Sequence, residues 1–134
     1  MKYKQIIAII AFFFASFAKA EERHYSQQFT QCNRAASTQY NQADCATAEI
    51  AVQKKRLNVA YANVVKKLAP EDKPLLDKIQ HEWIVWRDGN YNFLAEHVSG
   101  SFGTTRATSL DFMLRSVFDR ASELEMISDE IGTN

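Results

Sequence analysis

The sequence is expected to fold as an all-α protein, a small antiparallel bundle of about four helices, and three observations support this. Apolar residues recur at spacings of three and four along most of the chain. No segment sustains the period-two alternation of a half-buried strand. Glycine and proline are sparse, with four and two residues, and Pro70 and the Gly100–Gly103 stretch interrupt the pattern where helices should end.

The first helix is expected from Glu21 to about Ser37, with Tyr25, Phe29, Cys32 and Ala36 on one face. Residues Thr38 to Gln42 lack that period and suggest a turn, with Asp44 as N-cap of the next helix. The second helix carries a heptad-like stripe of Ile50, Leu57, Tyr61, Val64 and Leu68. It should stop at Ala69-Pro70, because the residue before proline avoids the helical region.

A third helix should start near Glu71–Pro74, where acidic residues and proline suit the first turn. Its inward stripe is expected to run Leu76, Ile79, Trp83, Trp86, Asn90, Phe93 and His97. The segment Ser99 to Thr104 breaks the pattern. Thr104 or Thr105 can then cap a last helix with Leu110, Met113 or Leu114, Val117, Ala121 and Leu124 inward, fraying after about Ser128.

The N-terminus suggests export. Lys2 and Lys4 precede an apolar run from Ile6 to Phe17, and Ala18-Lys19-Ala20 offers small residues flanking a cut. These are the three parts of a cleavable signal peptide over residues 1–20. The run falls short of the roughly 20 apolar residues that span a bilayer, so no membrane span should remain after cleavage. The compact charged start fits a bacterial signal, hence a periplasmic or secreted product, with residues 21–134 as one domain. Cleavage removes Lys2, Lys4 and Lys19, so 16 basic residues become 13 against 16 acidic ones, a formal charge of −3. That mixed, weakly acidic balance argues against nucleic acid as partner.

Cys32 and Cys45 are the two cysteines. In an oxidising compartment they are most simply one disulfide, stapling the first helix to the start of the second. Two thiols with no histidine at ligand spacing make a poor metal site, so neither metal nor cofactor is expected. His81-Glu82 resembles half of a zinc-protease motif, but Val85 stands where the second histidine is needed. No paired carboxylates, glycine-rich phosphate loop or serine elbow is evident, and no residue is assigned a catalytic role. Trp83 reads as core, Arg87 as a partner for an acid on a facing helix, and Asn58 and Gln80 as polar groups bonding between helices.

Several pieces, in order, resemble the LprI-like lysozyme-inhibitor family of small exported bacterial helical proteins. Cys32 and Cys45 stand where that family has its first cysteine pair. Leu57, Asn58 and Tyr61 resemble its LN-x-x-Y segment, and Gln80, Trp83, Arg87 and Asp88 its Q-x-x-W-x-x-x-R-D segment. Gly100-Ser101 resembles the following turn, and Arg120, Glu123 and Leu124 the closing R-A-x-E-L. A second cysteine pair that many members carry is missing: Asn90 and Tyr91 occupy the first region, and no cysteine follows Cys45. Lys54 stands where an acid is often seen.

The resemblance implies a binding protein, not an enzyme, that inhibits a peptidoglycan-cleaving hydrolase, with lysozyme as the first expectation. An immunity protein against an envelope-targeting toxin, or an envelope-stress accessory protein, is the alternative. The target-binding candidates are His97, Ser99, Gly100, Ser101 and Phe102. They form a connection with two hydroxyls and an aromatic, where no helix requires them. The sequence leaves the oligomeric state open.

Overall fold

The structure, a computed structural model, describes residues 22–98, 100 and 102–132, with backbone alone at 102 and 103. The leader assigned to residues 1–20 lies outside the described residues. Among the described residues there are four α-helices: α1 (Gln27–Ala35), α2 (Gln39–Lys67), α3 (Lys73–Glu96) and α4 (Phe102–Ile131), with a 3₁₀ turn at Pro70–Asp72 before α3. No strand occurs among the described residues. The expected four-helix, all-α architecture is therefore what the chain adopts.

The core lies between α2 and α4. Ala43, Ile50, Leu57 and Val64 recur every seven residues on α2 and are buried. They meet Leu110, Met113, Leu114, Val117, Ala121 and Leu124 of α4. A seven-residue apolar repeat keeps one seam of a helix turned toward its neighbour, which is coiled-coil logic. Cross-contacts advance together along both helices: Asp44 with Arg106, Arg56 with Ser122 and Glu125, Lys67 with Ser128. Successive long helices reverse direction, so α2 and α4 run the same way. The inward set expected for α4 is buried throughout.

α1 and the segment before it close one side. Helix α1 starts at Gln27, later than the expected Glu21, because Ser26 caps it by accepting from the Phe29 amide. Residues 22–26 run non-helically over α2 and α4 instead. Arg23 Nε and Nη2 donate to both oxygens of Asp119 at 2.7 Å each. Tyr25 packs edge-on between Phe29 and Phe118, with ring centroids 5.1 Å apart in both pairs. The disulfide Cys32–Cys45 is formed, with Cα atoms 5.7 Å apart, and joins α1 to the start of α2 as expected. Closing a loop this short contributes about 3 kcal/mol in the chain-entropy account.

Three local expectations are corrected. Thr38 to Gln42 is not a turn: Thr38 is the N-cap of α2, its hydroxyl accepting from the Asn41 amide, and Asp44 sits inside the helix. Buried Ala43 opens the heptad one repeat before Ile50, and this packing draws the helix N-terminally. Helix α4 likewise starts at Phe102, so Thr104 and Thr105 lie in its first turn and are not caps. Its far end stays helical to Ile131, which packs against the core, rather than fraying after Ser128. The stop of α2 before Pro70 and the start of α3 near Pro74 fall where expected.

α3 is the lopsided element. Leu76 and Gln80 are buried and Trp83 packs against the core. Ile79, Trp86 and Phe93, expected inward, are 43%, 53% and 58% exposed. The helix carries two apolar stripes: the one through Leu76 and Trp83 packs into the core, while the other stays largely exposed and touches the bundle through Trp86 against Phe112 of α4. With the core built between α2 and α4, a third helix has only one flank to cover.

Candidate functional site

The residues that resemble family segments converge in space. Leu57, Asn58 and Tyr61 from α2 and Gln80, Trp83 and Arg87 from α3 line one cleft of about 500 Å³ between those helices. Pro70 ends α2 and the chain reverses there, so that α3, packed on α4, faces α2 across this cleft. Tyr61 Oη donates to Asp77 Oδ1 across the mouth. Lys54 and His81 add nitrogen-bearing side chains at the rim.

Behind the cleft, α3 is clamped to α4. Buried Arg120 donates from Nε to Gln80 Oε1 at 2.9 Å and from Nη1 to Glu123 Oε2 at 3.0 Å. Its guanidinium also lies 6.0 Å from the Trp83 ring centroid. Arg87 covers the indole more closely, at 4.8 Å, a cation–π arrangement. The pieces that stand far apart in sequence, Gln80-Trp83-Arg87 and Arg120-Glu123, are thus one network joining two helices. Gln80 bonds between helices as expected. Asn58 does not, being exposed on α2. Arg87 pairs with adjacent Asp88 at 2.7 Å instead of an acid on a facing helix, because stacking on Trp83 turns it along its own helix.

The Tyr61 phenol is pushed up to about 12, first by its hydrogen bond to Asp77, then by burial and the carboxylate charge. The fold thus favours the neutral phenol. Its contribution to stability is whole below about pH 10, the unfolded phenol value, and is lost as pH rises through about 12. In a phenolate-absorbance titration, the protein is expected to show a late ionisation step near pH 12, which Tyr61→Phe should remove. A titration that Tyr61→Phe leaves unchanged at its high-pH end would contradict the Tyr61–Asp77 bond.

The connection between α3 and α4 is described only in part. His97 is the C-cap of α3, its amide donating to Phe93 O at 2.9 Å, and its exposed ring lies 5.9 Å from that of Phe93. At Gly100 a Cβ would stand 3.1 Å from Thr105 Oγ1, so the chain turns tightly against the start of α4 there. Ser99, Ser101 and the side chain of Phe102 lie outside the described residues. Among the described residues, the lining of the α2–α3 cleft comes from the helix bodies, and neither His97 nor Gly100 is part of it.

Two features escaped the sequence. Glu49 is buried on α2, accepting from the Ser26 amide and hydroxyl and from Gln53 Nε2. Nothing in the local pattern marks it, because its cover comes from the segment before α1. The exposed stripe of α3 could have been found, since Leu75, Ile79, Trp86 and Phe93 repeat at helical spacing beside the stripe through Leu76 and Trp83. Among the described residues no helix is long and apolar enough to cross a membrane.

No curated protein and no solved structure matches the chain. A family model described as lysozyme inhibitor LprI matches residues 32–124. That span opens on the first cysteine of the disulfide and closes on Leu124, which is fully buried against α2. The chain belongs to the LprI lysozyme-inhibitor family.

Proposed function

We propose that this protein is exported, loses residues 1–20, and works as a single domain of residues 21–134 that inhibits a peptidoglycan-cleaving hydrolase, lysozyme first. The family match over residues 32–124 carries this proposal. Export rests on the charged, apolar and small-residue order of the first 20 positions. The mass of the exported chain should correspond to a start at Glu21; a retained leader would refute it.

Inhibition needs a rigid body presenting a narrow element to a cleft. Helices α3 and α4 joined by a tight connection provide such an element, and the disulfide and the Arg120 clamp stiffen the body behind it. A lysozyme cleft holds two carboxyl groups. The hydroxyls of Ser99 and Ser101 and the His97 ring are hydrogen-bond donors suited to them, and Phe102 supplies an apolar anchor. Composition and position between α3 and α4 support this choice of contact.

The mature protein is expected to slow lysozyme-catalysed clearing of a peptidoglycan suspension in a dose-dependent way. Replacing Ser99, Ser101 and Phe102 together with alanine should weaken inhibition at least tenfold, about 1.4 kcal/mol, with helical circular dichroism intact. Absence of inhibition by the intact protein would remove lysozyme as target. Full inhibition by the triple variant would move the contact off the connection.

A further inference from the structure

We propose that the exposed face of α3 is the contact between two copies of this chain, paired antiparallel about a two-fold axis near Trp86. Leu75 (59% exposed), Ile79, Trp86 and Phe93 occupy one stripe of the helix. Ile79, Trp86 and Phe93 are spaced by seven, so they stay aligned over about 20 Å. The face is held in place from behind. Trp86 leans on Phe112 of α4, with ring centroids 5.7 Å apart, so the indole is positioned before any partner arrives.

Area favours a second copy. The four side chains leave on the order of 500 Å² of apolar surface in water, the upper range for the largest patch of a monomer. Two such faces together cover about 1,000 Å² before any polar rim is added, which is the threshold for a specific interface. The pattern is also self-complementary. With the axis at Trp86, Ile79 of one copy falls opposite Phe93 of the other. Lys78 and Glu96 lie eighteen residues apart, five full turns, on the same flank of the stripe. The same axis places Lys78 of each copy beside Glu96 of its partner, giving two opposite-charge pairs at the rim.

Gly89 supports the same arrangement. Glycine inside a helix is costly relative to alanine, and a Cβ at Gly89 would meet nothing within 4 Å in its own chain. Nothing inside the molecule therefore calls for glycine there. It sits one turn beyond Trp86 on the same stripe, where the missing side chain leaves a hole for the partner's indole.

The test is the mass in solution of the mature chain by sedimentation equilibrium over about 1–200 μM, the range that reads micromolar association. The expected result is conversion from monomer to dimer mass. Gly89→Lys and Phe93→Glu should each weaken that association at least tenfold with helical circular dichroism intact. Gly89→Lys should not lower the melting temperature, since lysine suits a helix better than glycine. Lys78→Glu should also weaken it, and Lys78→Glu combined with Glu96→Lys should restore it, which a contact elsewhere cannot do. Monomer mass across the whole range, or a dimer insensitive to both Gly89→Lys and Phe93→Glu, overturns the proposal.

Discussion

Trp83→Ala is expected to lower the unfolding free energy by about 3–5 kcal/mol. The indole packs against the core near the middle of α3. Truncation removes its transfer free energy and leaves a void under the α2–α3 cleft, whose wall it forms. It also removes the ring over which the guanidiniums of Arg87 and Arg120 stand, at 4.8 and 6.0 Å. Arg120 would keep its bonds to Gln80 and Glu123 but lose the surface that orients it. Denaturant unfolding should show a lower midpoint with an unchanged slope, and Trp83→Phe should recover part of the loss. A variant with unchanged stability and weakened hydrolase inhibition would instead make Trp83 a contact residue.

The pattern that was legible in the sequence was the one set by local period. The buried stripe of α4 from Leu110 to Leu124 and the heptad from Ile50 to Val64 follow spacing alone, and both lie in the core. The disulfide was legible from the number of cysteines and the export expected from the first 20 residues. What escaped was decided by partners distant along the chain. Whether the Leu76 or the Ile79 stripe of α3 faces inward depends on where α4 lies, and both stripes are apolar. Glu49 is buried because residues 22–26 cross over it. The motif residues were legible as a set, but their meeting in one cleft required the reversal at Pro70 to be seen in three dimensions.

Glu49→Ala is expected to cost about 3–4 kcal/mol, although the residue lies outside the apolar core cluster. Glu49 is 2% exposed, and its carboxylate accepts from the Ser26 amide at 2.9 Å, from the Ser26 hydroxyl, and from Gln53 Nε2 at 2.7 Å. Alanine leaves these three donors without their acceptor, and each costs about 1–3 kcal/mol where water does not reach it. The loss spreads to α1, because the same Ser26 hydroxyl caps that helix at Phe29. It also loosens the anchorage that Arg23 and Tyr25 make to α4, since both precede Ser26 on the same short segment. The disulfide still tethers α1 to α2, so the damage should be local as well as global. Amide hydrogen exchange at Ser26, Phe29 and Thr30 should accelerate more than exchange in the α2–α4 core. Glu49→Gln should cost less, about 1–2 kcal/mol, because its carbonyl still accepts while its NH₂ opposes the remaining donors. A cost for Glu49→Ala below about 1 kcal/mol, with the exchange of Ser26 and Phe29 unchanged, would show that the segment is held by Arg23–Asp119 and the Tyr25 ring contacts alone.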